Sequence, residues 1–158
     1  DWIRITMNLK QFNLKKKRPD LIEKLIFLVY HEISHAARGY TGFLPKKKWH
    51  TLMNSIVSEG LADAFAREQY PSRYASKVSK YNLRQVKKWL PKLKKIKWRR
   101  ETFQEPWLMG GEGKPKRLGY KLGRYIIEKV KNSKPKLTAI ALTRKDAKKI
   151  LRLSGVKI

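Results

Sequence analysis

The residues with the most chemistry in their spacing are His31-Glu32-Ile33-Ser34-His35. On a helix, positions i and i+4 share a face one turn apart. Two imidazoles so placed can grip one metal ion, and the glutamate beside the first can work on a water bound there. The chain has no cysteine, so a metal must be held by histidine and carboxylate alone. Two histidines and a glutamate in an apolar helix are also costly to bury without a partner.

A catalytic zinc takes three protein ligands and keeps one position open. His31 and His35 supply two, and the candidates for the third are Glu59, Asp63, Glu68 and His50. Glu59 is the first choice. It lies in Ser58-Glu59-Gly60-Leu61-Ala62-Asp63, where small and apolar neighbours argue against a solvated acidic pair. Asp63 is one turn on and faces the same way. While Glu59 binds metal, Asp63 can accept a hydrogen bond from the far ring nitrogen of a ligand histidine and fix its tautomer.

These residues need elements to hold them. Pro19 to Arg38 reads as a largely buried helix, with Pro19 and Asp20 in its first turn and Gly39 as its stop. Trp49 to Gln69 reads as a second helix ended by Pro71, and Gly60 within it implies close packing, expected against the first helix. Trp2 to Leu9 alternates apolar and polar residues, the pattern of a half-buried strand. Ser72 to Trp98 is helical in tendency and broken by Pro91. Glu101 to Arg117 reads as a loop suited to covering a cleft, and Leu118 to Asn132 as a helix. Thr143 and Asp146 have the spacing of a capping box opening a last helix to Leu153.

The whole chain, residues 1–158, is expected to form one domain with a sizeable core. Its longest apolar run, Leu25 to Tyr30, is far below the roughly 18 residues of a membrane span. With no secretory leader read at the start, the cytoplasm is the favoured compartment. The net charge of +27 favours acidic partners. Between Lys80 and Arg100 stand ten lysines and arginines and no acid, with Trp89 and Trp98 interleaved. Such a stretch is either a solvated helical surface whose tryptophans pack on the core, or a single-strand nucleic-acid platform.

The combination of His31-Glu32-Ile33-Ser34-His35, Glu59-Gly60-Leu61-Ala62 and Leu118-Gly119-Tyr120-Lys121-Leu122-Gly123 resembles the gluzincin metallopeptidases, the class typified by thermolysin. More closely, it is similar to the predicted zinc-dependent proteases of the YjaZ-like type. The resemblance covers most of the chain. It implies a zincin-like α+β fold, mostly helical with a small N-terminal β region, and hydrolysis of a peptide or protein substrate, which the positive charge suggests is acidic. It implies Zn2+ held by His31, His35 and Glu59, Asp63 behind them, Glu32 as general base and Tyr120 as oxyanion donor, with His50 the second candidate donor. The basic stretch and the single clear strand depart from the family pattern. Two alternatives compete. One is a DNA-associated SprT-like metalloprotease with His50 as third ligand. The other is a non-catalytic basic nucleic-acid-binding module with a structural zinc.

Overall fold

A computed structural model describes residues 18–39, 51–99 and 104–158. They form eight α-helices: α1 (Arg18–Ala37), α2 (Leu52–Gln69), α3 (Arg73–Lys77), α4 (Leu83–Trp89), α5 (Gln104–Met109), α6 (Leu118–Ser133), α7 (Ala139–Thr143) and α8 (Ala147–Ser154). A 3-10 turn, Pro91–Leu93, follows α4. Among the described residues the one extended pairing is a bridge between Gly111 and Lys114. The α+β expectation is thereby overturned: the described residues form an all-helical arrangement. The strand expected over Trp2 to Leu9 lies outside the described residues, as does His50. No described helix is long and apolar enough to cross a membrane.

The reason lies in α2. Fourteen of its residues are buried, from Leu52 through Ala66 with the exception of Glu59. A helix buried on nearly every face needs neighbours on every side. Here the cover is helical: α1 lies along one side, α6 along another, and α5, α7 and α8 complete the shell. Ile56, Leu61, Leu122, Ile126, Leu142 and Ile150 are among the side chains that fill the space between them.

The α2–α6 contact is backbone on backbone. A Cβ on Gly60 would stand 2.4 Å from the Gly123 carbonyl carbon, and one on Gly123 would stand 2.2 Å from the Ile56 carbonyl oxygen. Gly60 therefore serves α6, not α1 as the sequence suggested. His31 and His35 stand on the other contact of α2, beside Ser58, Glu59 and Asp63.

The ends of the elements follow ordinary capping chemistry. Thr51 accepts from Asn54 N at the start of α2, and Gly39, at φ 72°, closes α1. Asp146 is itself the N-cap of α8, accepting from Lys149 N at 2.7 Å. Thr143 instead ends α7, its hydroxyl donating to Ile140 O, so the expected capping box is not formed. The stretch read as a loop contains α5. Leu108 of α5 abuts Gly119, and Trp107 meets Trp89 edge to face at 5.8 Å.

Candidate metal centre

His31 and His35 occupy successive turns near the end of α1, and Ser58, Glu59 and Asp63 occupy the middle of α2. The packing of these two helices brings the side chains together. One ligand atom from each of His31, His35 and Glu59 lies within 4.8 Å of the others. His31 Nε2 is 3.1 Å from His35 Nε2 and 3.2 Å from Glu59 Oε2, and His35 Nε2 is 3.6 Å from Glu59 Oε1.

Two further residues set the rings. His31 Nδ1–H donates to Asp63 Oδ1 at 3.0 Å, and Asp63 is fully buried. His35 Nδ1 lies 3.0 Å from Ser58 Oγ, also buried. With both Nδ1 atoms so occupied, each Nε2 faces the other and Glu59.

That arrangement suits a cation. Glu59 Oε2, although 3.2 Å from His31 Nε2, is buried and receives no hydrogen bond. Three donor atoms converge here, and since buried acceptors normally find partners, Glu59 Oε2 lacks the one that a cation would supply. Ligand bonds of roughly 2.0–2.2 Å in a tetrahedron would space the donor atoms at about the separations seen. Two imidazoles and one carboxylate form a zinc-type set, so the residues fit the metal that their spacing implied.

The electrostatics agree. Burial alone would lower the His31 pKa, but the hydrogen bond to Asp63 and the negative charges of Glu59 and Asp63 outweigh it and raise the value to about 9. Burial alone would raise that of Glu59, yet His31 and His35 bring it down to about 2. The pocket thus holds an anion and attracts a positive charge, whether proton or metal.

Tyr120, in the first turn of α6, lies nearly parallel to the His31 ring, with centroids 6.4 Å apart and an 18° tilt. Burial, then the nearby charge of Glu59, push its phenol well above the usual value, so it is a neutral O–H donor. Arg117 stands over the Tyr120 ring, 4.1 Å from its centre. Glu32, next to His31 and roughly 100° further round α1, is half-buried and makes no hydrogen bond or ion pair among the described residues. Glu68, considered for the third ligand, is elsewhere: it pairs with Lys131 and accepts from Ala139 N at 2.9 Å.

Sequence reasoning missed Ser58 and Arg117. Ser58 had a usable signal, a hydroxyl inside an apolar helix that needs a partner. Arg117 had none, because its position depends on a backbone conformation.

Among the described residues, an all-helical arrangement with a two-histidine, one-glutamate cluster on facing helices defines a candidate metalloprotein. The chain belongs to the family described as predicted Zn-dependent protease (DUF2268), whose model matches residues 8–152. No curated protein and no solved structure matches it.

Proposed function

We propose that this chain is a zinc-dependent metallopeptidase of the gluzincin type. The observation that carries the reading is the convergence of His31, His35 and Glu59, with Asp63 and Ser58 holding the two rings. When bound, zinc supplies Lewis acidity to a water and to the substrate carbonyl.

The residues divide the remaining work. His31 and His35 bind through Nε2, and Glu59 through its carboxylate. Asp63 keeps the His31 proton on Nδ1, which leaves Nε2 free to bind. Glu32 takes a proton from the attacking water and delivers it to the leaving amine nitrogen. Tyr120, held neutral, donates its hydroxyl to the oxyanion of the tetrahedral intermediate.

The exposed cations Arg84, Lys87, Lys88, Lys92, Lys94 and Lys95 support an acidic protein substrate. They support a stacking platform for single strands less well. The Trp89 ring is partly buried, edge-on to Trp107, with Lys92 Nζ 4.5 Å from its centre. Trp98 lies under Lys148 at 5.5 Å.

Hydrolysis of an unstructured acidic protein by wild type and by Glu32→Gln tests the proposal. The variant is expected to keep zinc and to lose about 100-fold or more of the rate. Equal rates would remove Glu32 from the chemistry. Zinc binding with no hydrolysis by the wild type would instead favour a structural metal in a binding module.

A further inference from the structure

Around the metal centre the charged side chains Glu32, Glu59 and Asp63 are acidic, and the cation Arg117 stands at its edge beside Tyr120. Arg117 precedes α6 in a left-handed conformation, φ 55° and ψ 40°. Side chains rarely adopt it, and such strain tends to collect at functional positions. The conformation is pinned from both sides. Arg117 N–H donates to Met109 O at 2.7 Å, and its carbonyl accepts from Lys121 N at 3.1 Å. The side chain makes no capping hydrogen bond.

What the strain achieves is placement. The guanidinium sits over the Tyr120 ring, and that same ring runs nearly parallel to His31. The two separations put Arg117 within about three residues of the metal ligands along an extended peptide, at roughly 3.3 Å per residue. No carboxylate among the described residues pairs with it. The partly buried cations Lys131 and Arg124, by contrast, have Glu68 and Glu128. An arginine held over an aromatic ring keeps its fork of N–H donors for a planar anion.

Resting on the metallopeptidase reading, we propose that Arg117 is the substrate-recognition cation of this centre. It binds a carboxylate of the substrate close to the bond to be hydrolysed, either an Asp or Glu side chain or the free C-terminus. The substrate preference then has a local source at Arg117 besides the general positive field.

The test uses the full chain as zinc-loaded Glu32→Gln, which separates binding from turnover. Fluorescence anisotropy is measured at about 0.3 M salt, where the long-range field is largely screened. Three dye-labelled peptide pools serve as probes, each of mixed sequence around one fixed central position. One has a central Glu and an amidated end, one a central Gln and an amidated end, and one a central Gln and a free C-terminus. A carboxylate pool is expected to bind about tenfold tighter than the amidated Gln pool, as a charge-assisted fork pairing warrants. Which of the two does so identifies the source of the carboxylate. Adding Arg117→Met should bring the ratio close to one, and Arg117→Lys should restore part of it. Arg117→Gly, which fits the left-handed backbone, replaces Arg117→Met should that variant fold poorly.

A carboxylate preference that survives loss of the guanidinium, or no preference with Arg117 present, overturns the proposal. Hydrolysis of the same pools by the wild type is scored separately. Turnover with Arg117-independent binding sinks this proposal alone. Arg117-dependent binding without turnover sinks the peptidase reading and leaves the carboxylate site standing.

Discussion

At the scale of single residues, the site depends on which nitrogen of each histidine carries the proton. Asp63 decides this for His31 by accepting from Nδ1, and Ser58 Oγ meets His35 Nδ1. Nε2 of each ring is then the nitrogen left facing the metal position, and it binds metal only once any proton it carries has left. Asp63→Asn keeps the shape but removes the charge, and its amide can present the NH2 side to the ring. Zinc affinity is expected to fall about 10- to 100-fold, the usual effect of losing such a supporting carboxylate. Competition with a chelator of known affinity measures it, and unchanged affinity would show that Asp63 serves packing alone.

At the scale of elements, two helix contacts of α2 do different work. The face toward α1 carries Ser58, Glu59 and Asp63, and the contact with α6 runs through Gly60 and Gly123. The second contact fixes where α6 begins, and so where Tyr120 and Arg117 stand. Gly123→Ala would push a methyl against the Ile56 carbonyl, where neither backbone can yield cheaply. A loss of about 1–3 kcal/mol in unfolding stability is expected, together with reduced activity. Denaturant titration reads the first; a neutral result would mean that the helices separate without cost.

Much of this level was legible beforehand. The start of α2 apart, α1, α2 and α6 fall within a residue or so of their expected bounds, because apolar periodicity marks α1 and α6 and Pro71 marks the end of α2. The grouping of His31, His35 and Glu59 follows from one-turn spacing on two helices that touch. The partner of Gly60 was not legible, since a lone glycine announces a close approach without saying to what. Neither was α5: Gln104 to Met109 is too short for a period, and Pro106 and the following glycines read as loop. The α+β reading failed for a related reason. It rested on one alternating stretch and a resemblance, whereas the buried surface of α2 is satisfied by helices from every side among the described residues.

At the scale of the whole molecule, the centre joins α1 to α2, so its charge state bears on stability. In metal-free protein His31 titrates at about 9 instead of 6.5. Its protonated form is favoured by folding, so that contribution is full below about pH 6.5 and disappears as the pH rises through 9. Glu59, lowered from 4.5 to about 2, contributes above about pH 4.5 and loses its effect as the pH falls through 2. The chelated protein should therefore show its highest Tm between about pH 4.5 and 6.5 as far as these two groups decide it. It should lose stability from there toward pH 9. Zinc replaces the proton, so the metal-loaded protein should lack that alkaline decline. Thermal melts across this range, with chelator and with zinc, test it. Parallel curves would disconnect the cluster from metal.

The central claim is that His31, His35 and Glu59 hold one zinc ion. Metal content by mass spectrometry on purified wild type, Glu59→Ala and His50→Ala addresses it most directly. One zinc per chain is expected in the wild type and in His50→Ala, and little or none in Glu59→Ala. Zinc kept by Glu59→Ala and lost from His50→Ala would contradict it and point to the DNA-associated type of metalloprotease. No zinc in any of the three after reconstitution would contradict the metal centre altogether.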